Sequence, residues 1–349
     1  MAFKAFISGC TTTALTPAER DLFAAERPCG LILFRRNVEN PGQVQALVSD
    51  FKAAVGTEDV LVLVDQEGGR VQRLRPPHWL EMPPAQVFGD LYATNEFAGR
   101  RAAFAAARLM AAELHDLGIT VNCTPCIDVR HPGAHDIIGD RSFSTDPQTV
   151  AVLGRAVMNG MLAGGVLPVI KHVPGHGRAL ADSHKSLPRI DVLCEELEAV
   201  DFLPFRELQD APLAMTAHVL LPAYDERNPA TLSPAIMKEV IRDQLGLTGL
   251  IMTDDICMKA LSGSPGKLTR AVIEAGCDVA LHCSGKFDEM VDVAGAAPEL
   301  SGQSLDRFEN AFACLHDPEP FDEAEARALV SEAAATRVAR VGADPTEQV

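Results

Sequence analysis

Eight short apolar runs, each followed by a longer stretch with helical periodicity, constrain the fold of this chain more than any other feature. The runs are rich in Val, Ile and Leu, which favour buried strands, and the stretches between them favour amphipathic helices. Such alternation predicts a parallel sheet whose strands are buried on both faces. The eight runs span residues 5–10, 30–34, 60–67, 120–129, 167–173, 213–219, 249–255 and 279–284.

Four of the intervening helices have starts that can be recognised directly. Each combines a side chain that can cap the helix with Pro at the first helical position, where the missing N–H is not needed. These starts are Thr16-Pro17, Asn40-Pro41, Asp146-Pro147 and Ser233-Pro234. Eight strand–helix units in succession predict an α/β protein of the (β/α)8 type, a TIM barrel.

The domain organisation follows from length and from the lack of a break. A chain of 349 residues could hold two average domains or one large barrel, and no Gly/Ser-rich linker divides it. We therefore expect a single domain over residues 1–349, with its core at about residues 4–300 and a C-terminal helical extension after it. The last residues, 342–349, are expected to be frayed.

Charge and hydropathy exclude several classes of partner. The formal net charge is −17, and no block of Lys or Arg could neutralise a row of phosphates, so a nucleic-acid partner is not expected. No apolar run approaches the roughly 20 residues of a membrane span. The nine cysteines have no framework spacing, which suits a reducing compartment. We expect a cytoplasmic monomer without a membrane or nucleic-acid partner.

One pair of cysteines has a motif spacing that could carry chemistry. Cys123 and Cys126 form a C-x-x-C, but they lie within a strand-like run, with no second such pair. A redox pair would be expected at a strand-to-helix turn, and a zinc site would need further ligands. Buried, unreactive thiols are the better interpretation.

Charged and imidazole side chains gather at the ends of the apolar runs, which is where TIM barrels carry their active sites. A purely structural barrel would have little reason to collect them there. They are Asp65 to Arg70 at the end of the third run, Lys171 and His172 at the end of the fifth, His176, Asp182 and His184 in the loop that follows, His218 at the end of the sixth, and Asp254 and Asp255 at the end of the seventh.

Two local patterns in this set allow both a catalytic and a structural interpretation. Because strand side chains alternate, only one of Asp254 and Asp255 can face the barrel axis, and such a pair more often caps a helix than attacks a substrate. Asp182 lies two residues before His184, close enough to hold one imidazole nitrogen and fix its tautomer. A solvated loop with an incidental histidine is the alternative for the second pattern.

The loop sequence KHVPGHGRALADSH resembles the corresponding loop of glycoside hydrolase family 3, in particular its bacterial NagZ-type β-N-acetylhexosaminidases. The resemblance covers roughly residues 28–285, and the D-x-H loop together with the strand end TDD makes it specific. The other similar segments, in the same order, are GLILFRRNVENPGQ, LVDQEGGRVQRL, GDRSF, MTAHVLLPAYD with PATLSP, and GLIMTDDICM.

The resemblance implies a role for each matching residue. Asp254 matches the nucleophile, His184 the acid/base and Asp182 its dyad partner, whereas Asp255 is structural. Neither a cofactor nor a metal is implied. The positions that match sugar-binding residues are Asp65, Arg73, Arg141, Lys171 and His172. Val173, Thr253 and Cys257 depart from the usual pattern, but none of them removes a reacting group.

By this resemblance the expected activity is that of a retaining exo-β-N-acetylglucosaminidase. The expected substrates are muropeptides, N-acetylglucosaminyl-1,6-anhydro-N-acetylmuramic acid carrying a peptide, in peptidoglycan recycling. The low aromatic content, 5% of residues, indicates a small polar pocket. Gly175 and Gly177 predict a loop that closes over substrate. Water and phosphate both stay open as acceptor.

Two rival functions remain at this point. A metal-dependent barrel hydrolase could use His172, His176, Asp182 and His184 as zinc ligands, although the first strand lacks the H-x-H of such enzymes. A catalytically idle sugar-binding barrel could have kept the pocket, but the presence of both Asp254 and His184 argues against it.

Overall fold

Eight parallel strands close into a barrel in the computed structural model, which describes residues 2–335. A separate antiparallel hairpin, β4 with β5, follows the third barrel strand. The strands in chain order are β1 (Lys4–Ser8), β2 (Pro28–Leu33), β3 (Leu61–Val64), β4 (Gln66–Gly68), β5 (Val71–Gln72), β6 (Val121–Asn122), β7 (Leu167–Val173), β8 (Leu213–Thr216), β9 (Leu250–Asp255) and β10 (Val279–His282). Because β1 pairs with β10, the sheet has no open edge, and the predicted (β/α)8 fold is confirmed.

Helices surround this barrel. They are α1 (Pro17–Glu26), α2 (Pro41–Val55), α3 (Ala85–Thr94), α4 (Glu96–Asp116), α5 (Pro147–Ala163), α6 (Cys194–Glu196), α7 (Leu203–Glu207), α8 (Pro265–Ala275), α9 (Phe287–Ala296), α10 (Gly302–Phe312) and α11 (Glu323–Ala335). Two π-helical segments span Leu197–Asp201 and Ile236–Gln244, and 3-10 turns span Arg35–Asn37, Gly139–Arg141 and Ala230–Leu232.

The four helix starts that the sequence predicts are confirmed by their capping hydrogen bonds. Thr16 caps α1 in a full capping box with Glu19. Asn40 and Asp146 accept backbone N–H groups in the first turns of α2 and α5, and the Ser233 hydroxyl accepts the N–H of Ile236. Each bond satisfies a donor that the helix itself leaves unpaired.

The alternation of strand side chains divides the core into two layers. In β3, Leu61 and Leu63 belong to the cluster inside the barrel, whereas Val62 and Val64 pack against the helices outside. All four side chains are fully buried. A strand buried on both faces must be apolar throughout, which is why the runs are continuous instead of alternating.

Some apolar runs are longer than the strands they form. The run 120–129 contributes only Val121–Asn122 to regular pairing, after which Cys126 makes an isolated bridge to Lys171. Pro125 lies between these two contacts and has no N–H to give to a strand ladder. The chain therefore leaves regular pairing early, although the rest of the run stays buried.

The predicted C-terminal helical extension is present as α10 and α11. Phe308 and Ala311 of α10 belong to the inner cluster and contribute to the core inside the barrel, and α11 packs along α4. Residues 342–349 lie outside the described part, so their expected fraying, and the single domain over residues 1–349, stay predictions. Within residues 2–335, no helix is both long and apolar enough to cross a bilayer.

Candidate active site

A pocket of about 560 Å³, its open mouth included, lies where β3, β7 and β9 end. Phe34 contributes an aromatic ring to its wall, and Ile137, Ile138 and Met258 contribute aliphatic surface. The pocket is also lined by seven of the residues singled out from the sequence: Asp65, Arg73, Arg141, Lys171, His172, His184 and Asp254. Asp182, the remaining residue to which the resemblance assigns a role, is hydrogen-bonded to His184.

A buried network of charges holds one side of the pocket. Nζ of Lys171 lies 2.9 Å from Asp65 and 2.6 Å from Glu67, and Nη2 of Arg73 lies 3.0 Å from Asp65. Arg141 donates to both oxygens of Glu67, at 2.9 and 2.8 Å. Because each charge has an opposite partner within hydrogen-bonding distance, the network can stay ionised away from water.

The partners set the protonation of the network. Burial by itself would raise the pKa of Asp65, but the Lys171 ammonium and the Arg73 guanidinium hold it well below its usual range. Burial opposes ionisation of Glu67 too, yet Arg141 and Lys171 lower its pKa to about 2. Both carboxylates are therefore ionised at neutral pH, and Asp65 presents acceptor oxygens to the pocket.

Asp128 holds two histidines that line the pocket, His172 and His176. Nδ1 of His172 donates to Oδ2 of Asp128 over 2.6 Å, and the backbone N–H of His176 donates to Oδ1 over 2.6 Å. Nε2 of His172 is left facing Arg141, 3.4 Å away. Burial, aided by His172, lowers the pKa of His176 to about 4, so this imidazole is neutral at neutral pH.

The Asp pair at the end of β9 separates as strand alternation predicts. Asp254 shares the inward face with Leu250 and Met252, and it borders the pocket. Asp255 also touches the pocket, but its Oδ1 accepts the backbone N–H groups of Cys257 and Cys283, at 3.2 and 3.0 Å. Asp255 therefore ties the ends of two strands together.

The two carboxyl groups differ in protonation as well. Burial opposes ionisation of Asp254, but the imidazoles of His172, His218 and His184 lower its pKa below the ordinary value. Burial, reinforced by the charge on Asp254, raises the pKa of Asp255 to about 7. Of the pair, Asp254 is the ionised carboxylate at neutral pH.

The loop that follows β7 is folded over the pocket. Nδ1 of His184 lies 3.0 Å from Oδ1 of Asp182, and the Ser183 hydroxyl lies 3.2 Å from Nε2 of His176. Backbone hydrogen bonds join Ser183 to Ala260 and Ala179 to His135. In this conformation His184 reaches the same pocket as Asp254.

This loop conformation requires glycine at both Gly175 and Gly177. A Cβ on Gly177 would lie only 1.8 Å from the carbonyl oxygen of Val129, so no side chain fits there. Gly175 has a φ of +138°, which L-residues rarely adopt. The movement of the loop, which these glycines suggested, stays a prediction.

The four residues of the metal-dependent rival do not come together as one ligand set. Among residues 2–335, the groups of three or more donors close enough to hold an ion are Cys126–Asp128–His172 and Cys257–His282–Glu289. His176, Asp182 and His184 belong to neither. In the first group, Nδ1 of His172 is already bonded to Asp128.

Two residues that hold the site together were not assigned from the sequence: Glu67, which was noted at a strand end but given no role, and Asp128. Both lie at the ends of apolar runs, the same signal that indicated Asp65 and Asp254. What the sequence does not show is that Glu67 meets Arg141, or that Asp128 meets His172, because these partners are 74 and 44 residues apart.

Known proteins provide an independent comparison. The model of the glycosyl hydrolase family 3 N-terminal domain matches residues 11–311. The β-hexosaminidase of Chromobacterium violaceum is 35% identical over 300 residues, which cover 85% of this chain and 83% of that protein. The β-hexosaminidase of Stenotrophomonas maltophilia R551-3 is 38% identical over 301 residues, covering 85% and 87% of the two chains.

Solved structures agree in fold and size. The crystal structure of NagZ from Neisseria gonorrhoeae, in complex with N-trifluoroacetyl-D-glucosamine, has a TM-score of 0.86 and 30% sequence identity to this chain. The alignment covers 96% of this chain and 99% of that one. The chain therefore belongs to glycoside hydrolase family 3, in its NagZ-type group of β-N-acetylhexosaminidases.

Proposed function

We propose that this enzyme is a retaining exo-β-N-acetylglucosaminidase that uses Asp254 as nucleophile and His184 as acid/base. The observation that carries the proposal is that both residues border one pocket while Asp182 holds Nδ1 of His184. An ionised carboxylate and a proton carrier on one pocket are what retaining hydrolysis needs.

In the first step Asp254 attacks the anomeric carbon of the terminal sugar. The bond to the glycosidic oxygen breaks, and Nε2 of His184 gives its proton to that oxygen. The product is a glycosyl ester on Asp254, and the aglycone leaves. The lowered pKa of Asp254 keeps this carboxylate ionised and ready to attack.

In the second step His184 reverses its role. Its free Nε2 takes a proton from a water molecule, whose oxygen attacks the anomeric carbon and displaces Asp254. Two displacements at the same carbon retain the configuration. Asp182 accepts from Nδ1 throughout, so Nε2 is the nitrogen that exchanges the proton in both steps.

The charged network grips the non-reacting part of the sugar. The Asp65 carboxylate is fixed by Lys171 and Arg73 and can accept two hydroxyl hydrogens at once. Arg141 and His172 also line the pocket, and the Arg141 guanidinium can donate to sugar and amide oxygens. Such fixed groups position the anomeric carbon against Asp254.

The substrate class rests on the relatives and on the pocket. Relatives carry the name β-hexosaminidase, and the Neisseria protein was solved with an N-acylated glucosamine. A small pocket suits one terminal sugar. We propose muropeptides, N-acetylglucosaminyl-1,6-anhydro-N-acetylmuramic acid with its peptide, as substrates of a cytoplasmic monomer in peptidoglycan recycling.

The first test compares p-nitrophenol release from the β-N-acetylglucosaminide and the β-glucoside, each with and without added phosphate. The proposal expects turnover of the N-acetylglucosaminide alone, without dependence on phosphate. Release of a sugar 1-phosphate would make the enzyme a phosphorylase. Equal rates for wild type and Asp254→Ala would favour the idle sugar-binding barrel.

A second test addresses the natural substrate. Purified N-acetylglucosaminyl-1,6-anhydromuropeptide and N,N′-diacetylchitobiose are offered at equal concentration, and the released N-acetylglucosamine is measured by chromatography. The proposal expects a higher kcat/KM for the muropeptide. A clear preference for chitobiose would place the enzyme in chitin breakdown instead.

A further inference from the structure

Cys257, His282 and Glu289 form a cluster beside the catalytic pocket that the proposed reaction does not use. Cys257 follows β9, His282 ends β10, and Glu289 lies in the first turn of α9. Their donor atoms all lie within 4.8 Å of one another. None of the three residues lines the catalytic pocket described above.

Two of the three donor separations match tetrahedral coordination, and the third is within 4.8 Å. Sγ of Cys257 lies 3.6 Å from Oε2 of Glu289, and Nε2 of His282 lies 3.5 Å from the same oxygen. Zinc bonds of about 2.3 Å to sulfur and about 2.1 Å to nitrogen or oxygen place tetrahedral ligands roughly 3.4 to 3.6 Å apart. These two separations therefore need little adjustment around a central ion.

The chemistry of the donors also suits a zinc-class cation. A thiolate, a neutral imidazole and a carboxylate are the ligands that Zn²⁺ takes from proteins. His282 presents Nε2 to the cluster, 3.0 Å from the Ser284 hydroxyl and 3.5 Å from Oε2 of Glu289. On binding, the Cys257 thiol releases one proton, and the single imidazole proton moves from Nε2, where it faces Ser284, to Nδ1.

The exposure and the charge of the cluster both favour binding of a cation. His282 is fully buried, but Cys257 is half-buried and the Glu289 side chain is 28% exposed, so an ion can enter from solvent. Two negative ligands would be offset in part by Lys286, whose Nζ lies 3.0 Å from Oε1 of Glu289. Oε2 remains on the side of the other two donors.

Ser284 bridges two of the three cluster residues, His282 and Glu289. Its hydroxyl contacts Nε2 of His282 at 3.0 Å and also donates to Oε2 of Glu289. This hydroxyl binds the same two donor atoms, Nε2 of His282 and Oε2 of Glu289, that a bound ion would coordinate. Water can fill the fourth position, as in zinc sites with three protein ligands.

We propose that Cys257, His282 and Glu289 form a three-ligand site for a zinc-class divalent cation. The ion would clamp the loop after β9 to the start of α9. The site adjoins the catalytic strand through Asp255, which accepts the backbone N–H of Cys257. It is separate from the histidines and aspartates of the pocket.

The test uses Co²⁺ with the full-length enzyme, because thiolate-bound cobalt has a near-ultraviolet charge-transfer band that nitrogen and oxygen ligands lack. We expect wild type to show the band at one equivalent and to lose it when Zn²⁺ is added. The band should be absent in Cys257→Ser and unchanged in Cys314→Ser, which alters an exposed cysteine elsewhere.

Glu289→Gln provides a second variant that keeps the thiol. We expect its Zn²⁺ affinity, measured by competition with a chelating dye, to fall at least tenfold, because the neutral amide is a weak ligand. Circular dichroism confirms that each variant is folded. A wild type without the band, a band that persists in Cys257→Ser, or unchanged affinity in Glu289→Gln would each overturn the proposal.

Discussion

Oδ1 of Asp182 lies 3.0 Å from Nδ1 of His184 and 2.9 Å from the backbone N of the same residue. The carboxylate thus holds both the ring and the chain that carries it. Burial opposes ionisation of Asp182, but these bonds to His184 lower its pKa, so the acceptor is ionised at neutral pH. With Nδ1 occupied, Nε2 is the nitrogen free for substrate.

Replacing Asp182 by Asn should reduce kcat/KM most for substrates whose leaving group must be protonated. We expect kcat/KM to fall about 100-fold for N-acetylglucosaminides with poor leaving groups, because the imidazole is no longer held in the correct tautomer. Dinitrophenyl substrates, whose leaving group needs no proton, should lose much less. An equal loss for both kinds of substrate would show that Asp182 only shapes the loop.

Lys171→Met should destabilise the fold, because it leaves Asp65 and Glu67 without the cation they share. Removing one partner of a buried ion pair costs about 3 kcal/mol in free energy of unfolding. The matched control is Lys238→Met, which breaks an exposed pair with Asp243 and should leave the free energy of unfolding nearly unchanged, because water screens such pairs. Urea unfolding measures both, and equal effects would contradict the role of the buried network.

His176 should make the stability of the enzyme depend on pH. Its folded pKa of about 4 lies below the unfolded value of 6.5, so below pH 6.5 the unfolded state takes up a proton that the folded state cannot. Its contribution is full above pH 6.5 and is lost as pH falls toward 4. The groups around it are His172, Asp128, Asp254 and Arg141.

The measurement compares urea unfolding at pH 7.5 and pH 5.0. We expect wild type to lose about 2 kcal/mol more than His176→Gln over this interval, since the variant lacks the titrating ring. His316→Gln, at an exposed position, serves as the control and should behave as wild type does. An identical pH dependence in wild type and His176→Gln would exclude this role.

The loop that carries His184 should have to open for turnover. Ser183 and Ala260 share a backbone hydrogen bond of 3.1 Å, so a disulfide between Ser183→Cys and Ala260→Cys would lock the closed form. We expect the oxidised double variant to lose at least tenfold in kcat and dithiothreitol to restore it. Each single cysteine variant controls for the substitutions, and full turnover of the locked enzyme would show that the loop need not move.

The barrel could be predicted from the sequence because its signals are local. Continuous apolar runs indicate strands that are buried on both faces, and pairs such as Asn40-Pro41 mark helix starts. The lengths of the strands were harder to predict from the sequence than their positions. The run 120–129 looks like one long strand, but Pro125 ends regular pairing within it.

The pocket could be predicted from the sequence only in part. Residues at strand ends could be assigned to one mouth of the barrel, and the resemblance to family 3 separated Asp254 from Asp255. The supporting contacts of Glu67 and Asp128 depend on partners brought close by the fold. No local pattern shows that Glu67 will meet Arg141, so its part in the network had to come from the structure.

The most direct test of the central claim is to trap the covalent intermediate. A 5-fluoro N-acetylglucosaminyl fluoride, which forms the glycosyl-enzyme faster than it is hydrolysed, is added to wild type, Asp254→Asn and Asp255→Asn. Intact-mass measurement and peptide mapping should find one sugar on Asp254 in wild type and in Asp255→Asn, and none in Asp254→Asn. A label on any other residue, or a label that survives Asp254→Asn, would contradict the assignment of Asp254 as nucleophile.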